Sequence, residues 1–358
     1  MKNILTSRKS FLLSIPLTGL IIISLLVAVK CHAQTDSLRN SSPEIRMAYV
    51  YYEDKGNVPE PDLYNRLIYA FGNFNESNDG IIIPTPQKLH ALADLKKQNP
   101  ELKVILGIGG KKYEGFSEMA GNKKKRAKFL KSLKTILDTL NLDGVDYDWE
   151  YPGTTAGGHS ASPADEKNYI TLLKETRKKL GKDKLISFFS SHSGYFLDLK
   201  NMHQYVDYVN LPGYDLSIPK EGEKAKHQSP LYPSKKYGEW CIDKSLSRHL
   251  KAGIPREKIL LGIPFYGRGV SPFPPTAFAY QMAKFTDGSI LEWDEDAKVP
   301  YYMNPEGDLV FTFDNERSIR EKCEYIRQQG LSGAFIWHYD ADFPDHRLSK
   351  ALQSLTKP

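Results

Sequence analysis

The stretch DGVDYDWE, residues 143–150, carries the pattern that decides the fold. Side chains alternate across a β-strand, so Asp146, Asp148 and Glu150 share one face with Gly144, while three apolar side chains occupy the other face. The three carboxyls then follow one another at intervals of about 6.6 Å. The apolar face is suited to packing under helices. The stretch therefore predicts a buried strand with helices outside it and a row of carboxyls inside.

The rest of the chain extends this pattern, because short runs rich in β-branched and aromatic residues alternate with longer segments of helical spacing. The predicted strands are 45–52, 67–74, 102–108, 142–149, 184–190, 205–211, 258–265 and 332–338. Helical spacing is clearest in 122–140, 165–180, 237–252 and 316–329. Eight strands alternating with helices predict a (β/α)₈ TIM barrel. The alternative, a doubly wound sheet, would call for a glycine-rich phosphate turn after the first strand, and the sequence has none there.

One connection is too long for an ordinary barrel loop. Residues 267–315 contain Pro-rich stretches and a predicted strand at 308–313. We interpret this segment as a small subdomain inserted between barrel strands seven and eight.

The N-terminus has the layout of an export signal. Residues 1–33 combine a basic start, an apolar run at 11–29 and small residues before Gln34, which is typical of a secretory signal peptide. The run is also long enough to span a bilayer, so an uncleaved membrane anchor is the alternative. We interpret residues 34–43 as a linker and 44–358 as the catalytic barrel, and we expect an exported protein that is secreted, periplasmic or at the cell surface.

Charge and composition exclude other classes of protein. The 358 residues are 40% hydrophobic and 26% charged, as in ordinary globular proteins. The formal net charge is +6, and cleavage after Ala33 would leave 45 basic and 43 acidic side chains. This balance of charge does not favour nucleic acid as a partner. Separately, we expect a monomer.

The carboxyl row predicts acid chemistry. Burying like charges side by side raises at least one pKa strongly, which keeps a carboxylic acid protonated near neutral pH as a general acid. Glu150 is last in the row and nearest the mouth of the barrel. A calcium loop would require glycine at the sixth position, where the run starting at Asp143 has Asp148. A metal-dependent sugar transferase motif at 146–148 and a purely structural proton-sharing cluster are the remaining alternatives.

At this point the sequence resembles glycoside hydrolase family 18, the chitinases and their relatives. The stretch DGVDYDWEYPG, residues 143–153, matches the family signature Asp-x-x-Asp-x-Asp-x-Glu in full. Supporting motifs, in the family's order, are Ala48-Tyr49, LIYAF at 67–71, LGIGG at 106–110, Tyr214-Asp215, LGIPFYGR at 261–268 and GAFIW at 333–337. The 267–315 segment resembles the small α+β subdomain of one branch of the family.

The resemblance implies a retaining mechanism in which the substrate's own 2-acetamido oxygen is the nucleophile. Glu150 would protonate the leaving oxygen and then activate water. Asp148 would orient the acetamido group, Asp146 would share a proton with Asp148, and Tyr214 would hydrogen-bond the acetamido carbonyl. The implied partner is a β-1,4-linked N-acetylglucosamine oligosaccharide or polysaccharide, with no cofactor.

Further side chains are expected to bind the sugar. Trp337 would form the floor under the ring, Tyr49 would support the carboxyl row and Asp215 would hold the distorted sugar. Arg268 follows a strand end, where it either contacts sugar hydroxyls or makes a surface ion pair. The predicted substrate-binding residues are Asp215, Trp337, Tyr49, Phe71, Tyr151, Tyr266 and Arg268.

Three departures from the family pattern bear on the site. Gly107 stands where the family has a serine whose hydroxyl bonds the carboxyl row. Pro212 stands where a methionine precedes Tyr214-Asp215, and it removes a strand hydrogen bond. The residues after Asp215 lack the family's His-Gly-x-Trp, which leaves substrate preference on the leaving-group side open.

The sequence does not decide which substrate containing N-acetylglucosamine the site acts on or binds. Chitin or chitooligosaccharides are the leading prediction, an endo-β-N-acetylglucosaminidase acting on N-glycan cores is the second, and a non-catalytic sugar-binding relative is the third. We expect no metal, because His192 and His203 have no partners at metal-ligand spacing. Cys241 and Cys323 are expected to be buried free thiols rather than a disulfide.

Overall fold

The computed structural model describes residues 44–53, 58–195, 197–220, 222–282 and 289–356. The predicted signal peptide (1–33) and linker (34–43) lie outside the described residues, so export stays a prediction. Within the described ranges, no helix has both the length and the apolar character needed to cross a membrane.

Eight parallel strands close into a barrel, which confirms the predicted fold class. The first strand pairs with both the second and the last, and this double pairing closes the sheet. The barrel strands are β1 (Ile45–Tyr51), β2 (Arg66–Phe74), β4 (Lys103–Gly109), β5 (Gly144–Asp148), β6 (Leu185–Phe189), β7 (Tyr208–Pro212), β8 (Ile259–Pro264) and β14 (Gly333–Trp337). A short strand, β3 (Ile81–Ile82), pairs antiparallel with the end of β2.

Helices follow the barrel strands. They are α1 (Pro86–Asp94), α2 (Phe116–Gly121), α3 (Lys123–Thr139), α4 (Asp165–Leu180), α5 (Leu199–Met202), α6 (Ile242–Lys251), α7 (Ala279–Met282), α8 (Glu316–Gln329) and α9 (Arg347–Leu352). Single 3₁₀ turns span Leu95–Lys97, His203–Tyr205, Arg256–Lys258, Tyr339–Ala341 and Gln353–Leu355. Local sequence explains the best-defined helix ends: a capping box between Asn315 and Ser318 starts α8, and Gly330 ends it in a left-handed conformation.

One predicted helix begins later than expected. Helical spacing runs from residue 237, but α6 begins at Ile242. Gly238 has φ +118°, and its carbonyl accepts the backbone N–H of Ser234 at 2.9 Å in a tight turn, which the periodicity alone does not reveal.

The inserted segment forms a second, antiparallel sheet between barrel strands β8 and β14. Its strands are β9 (Tyr266–Gly269), β10 (Thr276–Phe278), β11 (Ile290–Asp294), β12 (Val299–Met303) and β13 (Leu309–Thr312). It has a small core of its own, in which Phe273, Phe311 and Phe313 are buried. Strand β9 starts two residues after barrel strand β8 ends, so the subdomain is joined directly to the mouth of the barrel.

Strand β5 separates two cores, as its alternation predicts. Val145, Tyr147 and Trp149 face outward into the layer between barrel and helices. There the Trp149 ring stacks on Phe116 of α2, with ring centroids 5.0 Å apart and planes 5° from parallel. Asp146 and Asp148 are buried on the inner side. Apolar packing on the outer face thus fixes which face of β5 carries the carboxyls.

The two described cysteines are buried free thiols, as expected. Cys241 immediately precedes α6, while Cys323 lies within α8, where its thiol is near the carbonyl of Leu352. The thiols therefore act as packing groups in the helical layer.

We predict that Gly107→Ala destabilises the barrel by about 1–3 kcal/mol. A Cβ at Gly107 would lie 2.8 Å from the Tyr69 carbonyl oxygen and 2.9 Å from a ring carbon of Phe71, both on β2. The free energy of unfolding in urea measures the loss. Gly121→Ala is the matched control, because its Cβ would meet nothing closer than Asn168 at 3.5 Å. Equal stability of the two variants would contradict the prediction.

Candidate active site

The carboxyl row enters the barrel from strand β5 and ends at its mouth. Asp146 and Asp148 are buried at 0% and 4% exposure, and Glu150, two residues beyond the strand end, is half-buried. Backbone bonds tie the row to the neighbouring strand end, because Gly110 donates its N–H to the Asp148 carbonyl at 2.8 Å. The three carboxyls therefore lie at increasing height in the barrel, from the buried interior to the mouth.

Asp146, the deepest carboxyl, is held by three donors from three other strands. Tyr49 Oη of β1 donates to Oδ2 at 2.8 Å, and Ser187 Oγ of β6 donates to Oδ1 at 2.6 Å. Asn210 Nδ2 of β7 donates to the same Oδ1 at 3.0 Å. Burial raises the pKa of Asp146 to about 6, and the Ser187 and Tyr49 hydroxyls oppose that rise.

The hydroxyl that the family pattern places at position 107 is supplied here from another strand. Gly107 has no side chain and no room for one, while Ser187 makes a short bond to Asp146. Sequence analysis missed Ser187 and Asn210. Their inward position in β6 and β7 was a usable signal, because they are polar residues within otherwise apolar strands.

Asp148 is the poorly satisfied member of the row. Its Oδ1 is buried and has no hydrogen-bond partner among the residues that the structure describes. Burial raises its pKa well above the ordinary value, and the charges of Glu150 and Asp146 raise it further. The Asp148 carboxyl therefore keeps its proton to higher pH than an ordinary aspartate does, and its Oδ1 is available for a donor brought by a ligand.

Glu150 has the pKa of a general acid. Burial raises it to about 7, and the nearby Lys111 ammonium opposes the rise. The backbone carbonyl of Glu150 is bonded to His159 Nε2 at 2.6 Å, which anchors the chain just after β5. Glu150 is therefore protonated in a large fraction of molecules at neutral pH and can both give and recover a proton there.

One wall of the site is a bonded group around Asp215, which adopts a left-handed backbone conformation with φ +53°. Arg268 Nε and Nη2 donate to its two oxygens at 2.8 and 2.6 Å, and Tyr266 Oη donates at 2.9 Å. Tyr214 lies beside them, with its ring 6.0 Å from that of Tyr266. Arg268 thus makes the ion pair that sequence analysis left open, while also bordering the cavity.

The floor is aromatic. Trp337, at the end of β14, stacks on Phe71 with ring centroids 5.9 Å apart and planes 17° from parallel. Tyr49 packs against both rings at 5.5 and 6.0 Å. Flat apolar faces of this kind stack on the C–H faces of sugar rings, which makes a floor suited to a pyranose.

These groups surround one cavity of about 210 Å³ at the barrel mouth. The predicted residues that line it are Tyr49, Phe71, Asp148, Glu150, Tyr214, Asp215, Tyr266, Arg268 and Trp337. Asp146 lies beneath the lining, and Tyr151 packs beside it. The lining residues that sequence analysis missed are Gly110, Lys111, Phe189, Thr276 and Phe278. In the described part of the chain, no three His, Cys, Asp or Glu side chains are grouped to hold a metal.

A closed (β/α)₈ barrel with a protonatable carboxyl at its mouth and an aromatic floor is the architecture of a glycosidase. Comparison with known proteins agrees. The sequence model for glycosyl hydrolases family 18 matches residues 46–342, so this chain belongs to that family and is chitinase-like. Human YKL-39, a pseudo-chitinase with retained chitooligosaccharide binding properties, shares this fold with a TM-score of 0.75 at 22% identity, over 87% of this chain and 99% of that one.

Among curated relatives, chitinase A1 of Niallia circulans is 30% identical over 76% of this chain and 45% of its own length. Chitotriosidase-1 of Mus musculus is 28% identical over 79% of this chain and 68% of its own. A solved family 18 N-acetylglucosaminidase from Paenibacillus barengoltzii superposes with a TM-score of 0.78, at 29% identity, over 87% of this chain and 99% of that one. This chain therefore spans under half of the bacterial chitinase and nearly all of the N-acetylglucosaminidase.

We predict that hydrolysis loses rate as the pH rises through about 7, because Glu150 must carry its proton to act as an acid. Lys111→Gln removes the nearby positive charge that favours the carboxylate form, so the pKa of Glu150 rises. The alkaline limb of kcat/KM then moves to higher pH by about half a unit, a small shift because Lys111 is exposed to solvent.

The pH dependence of kcat/KM on a chitooligosaccharide measures this shift. Lys112→Gln is the matched control, since Lys112 is exposed and adjacent but does not line the cavity. A limb that stays in place in Lys111→Gln, or moves equally in both variants, would contradict the assigned role of Lys111.

Proposed function

We propose that this protein hydrolyses β-1,4 bonds next to N-acetylglucosamine in chitin or chitooligosaccharides, with the substrate's acetamido oxygen as the nucleophile. The observation that carries the proposal is the buried, unpartnered Oδ1 of Asp148 directly below Glu150. An acetamido N–H is the kind of donor that this oxygen lacks. A bound 2-acetamido sugar would satisfy it and place its own carbonyl oxygen for attack.

The side chains of the site argue against a nucleophile from the enzyme. Burial raises the pKa of Asp148, which disfavours the carboxylate form that a nucleophile needs. Asp215 is engaged by Arg268 through two hydrogen bonds and by Tyr266 through a third. Neither carboxylate is free to form a bond to the sugar, which leaves the substrate's own acetamido group.

The proposed reaction has two steps, and both pass through Glu150. In the first, the bond from C1 to the leaving oxygen breaks, the acetamido oxygen bonds to C1, and the Glu150 proton moves to the leaving oxygen. In the second, water gives a proton to the Glu150 carboxylate and attacks C1 as the bond from C1 to the acetamido oxygen breaks. Asp148 accepts the acetamido N–H throughout and stabilises the positive ring that forms.

Asp146 and its donors support this cycle from below. Tyr49, Ser187 and Asn210 hold the Asp146 carboxyl in place without blocking Asp148 above it. Because burial raises the pKa of Asp146 to about 6, it can exchange a proton with Asp148 near neutral pH. Trp337 and Phe71 supply the apolar floor for the ring of the same sugar.

We predict that Glu150→Gln lowers kcat on chitohexaose by about 100-fold or more, because the amide cannot give or recover a proton. Mass spectrometry of the products from residues 34–358 measures it. Glu118→Gln is the matched control, a carboxylate on the exposed face of α2 that is paired with Lys125. Shorter oligomers should appear with the unmutated protein and the control at equal rates.

The same assay separates the alternatives. Binding of chitohexaose without cleavage by the unmutated protein would indicate a non-catalytic sugar-binding relative. Cleavage of an N-glycan core, with chitohexaose left intact, would indicate an endo-β-N-acetylglucosaminidase. If the unmutated protein neither binds nor cleaves either glycan, the proposal is overturned.

We also propose that residues 1–33 direct export and are removed before Gln34, from the basic, apolar and small-residue pattern alone. N-terminal sequencing of the protein exported by a bacterial host should begin at Gln34. Protein that stays in the membrane fraction with Met1 or residues 11–29 still attached would favour the anchor instead.

A further inference from the structure

A buried ion pair lies behind the Asp215 wall and takes no part in the proposed chemistry. Lys322 Nζ of α8 is 2.5 Å from Asp314 Oδ1, and both side chains are 0% exposed. Asp314 follows strand β13, so the pair joins the inserted subdomain to the helical layer. The Ser229 hydroxyl also bonds to this pair, because Lys322 Nζ donates to Ser229 Oγ at 2.6 Å.

Ser229 connects this pair to the site. Its Oγ donates to the backbone carbonyl of Gly213 at 2.5 Å, and Gly213 is the residue just before Tyr214. Lys322, Ser229 and the Gly213 carbonyl thus form an unbroken chain of hydrogen bonds from α8 to the strand end that carries Tyr214 and Asp215.

A proline reduces the backbone hydrogen bonding of that strand end. Pro212, the last residue of β7, has no N–H to give to the ladder. Gly213 donates its N–H to the Gly262 carbonyl at 3.0 Å but packs tightly, because a Cβ there would lie 2.5 Å from the same oxygen. The Gly213 N–H is thus bonded to Gly262, and the Gly213 carbonyl accepts its hydrogen bond from Ser229.

The residue next to Ser229 fixes the rest of the wall. Gln228 Nε2 donates to the backbone carbonyl of Tyr266 at 2.7 Å, and the Gln228 carbonyl accepts the N–H of Leu216 at 2.9 Å. Two adjacent residues thus hold the backbone on both sides of Tyr214 and Asp215, and also that of Tyr266, which donates to Asp215.

If the ion pair served only to stabilise the fold, the free energy lost in desolvating both charges would be poorly compensated. A fully buried pair loses hydration on both partners, and well-packed apolar residues often serve stability as well or better. Asp314 Oδ2 is also buried without a hydrogen-bond partner among the described residues, so the desolvation of Asp314 is not fully compensated. An arrangement of this kind is better suited to fixing geometry.

We propose that Lys322, Asp314 and Ser229 form a buried positioning clamp that sets Tyr214 and Asp215 against the substrate. The clamp acts through the Gly213 carbonyl and does not touch the sugar. Small displacements of groups that hold a reacting sugar cost rate steeply, so the loss should fall mainly on kcat. The expected loss of kcat rests on the proposed function. The expected displacement of Tyr214 and Asp215 does not.

Two serines on the same ion pair provide a matched test. Ser229 and Ser318 both contact it, and Ser318 Oγ donates to Asp314 Oδ1 at 2.6 Å, but only Ser229 reaches Gly213. Ser229→Ala should lower kcat on chitohexaose about tenfold with KM changed less than threefold. Ser318→Ala should leave kcat unchanged, although it also loses a helix cap. Equal kcat losses in the two variants would overturn the proposal.

A double variant separates positioning from stability. Lys322→Met with Asp314→Leu removes both charges together, so no unpaired charge stays buried and the protein is expected to fold. The clamp predicts that kcat still falls about tenfold, because Ser229 loses the donor that orients it. Unchanged kcat in the double variant would show that the pair has a structural role only.

Hydrogen exchange gives a readout that does not need turnover. In Ser229→Ala, the amides of residues 208–216 should exchange at least threefold faster, while those of 320–329 keep their rates. In Ser318→Ala, only the start of α8 should change. If the unmutated protein fails to cleave chitohexaose, the proposed function fails, and the exchange rates of 208–216 still decide for or against the clamp.

Discussion

The placement of three carboxyls inside the barrel, two on one face of strand β5 and one just past its end, is the constraint on which the rest of the structure depends. Their ionisation is unfavourable inside an apolar barrel, and this raises every pKa in the row. The barrel offsets part of that cost by converging donors on the deepest carboxyl, Asp146, from three strands. It leaves Asp148 under-satisfied. The same imbalance leaves a hydrogen-bond acceptor of the site unsatisfied, and the proposed function rests on that acceptor.

The height of each carboxyl in the barrel determines its role. Asp146 is deepest and fully bonded, so it can store a proton but cannot reach a ligand. Asp148 is buried and lacks one partner, so it suits a substrate N–H. Glu150 lies past the strand end and near Lys111. Burial raises its pKa, the Lys111 charge opposes the rise, and the result is about 7. One strand thus offers three different environments to three similar side chains.

The inserted subdomain lines the site and also contacts the residues that hold it in place. Its first strand brings Tyr266 and Arg268 to Asp215, and Asp314, two residues after its last strand, joins the buried pair with Lys322. Both contacts act on the segment that carries Tyr214. The subdomain therefore supports the Asp215 side of the site through the backbone as well as through the residues that line the cavity.

Much of this could be predicted from the sequence, and the limits have a physical cause. Alternation along residues 143–150 was enough to place the carboxyls inside and Trp149 outside, because strand parity is a local property. The eight strands, the insertion and the four longest described helices followed from local sequence for the same reason, while the shorter helices were not predicted. The start of α6 did not, since a turn at Gly238 overrides the spacing. Ser187 bonds Asp146 across 41 residues, and Lys322 bonds Ser229 across 93, so no local pattern pairs them.

The sequence by itself determined the fold class, the order of the carboxyls and their inward direction, because these depend on side-chain spacing within single elements. Only the tertiary structure decided which groups meet them. Barrel closure brings β1, β6 and β7 around Asp146, lets Ser187 supply the hydroxyl that Gly107 lacks, and engages Arg268 with Asp215 rather than leaving it free. Those outcomes depend on distances between residues far apart in the chain, and such distances exist only once the sheet has closed.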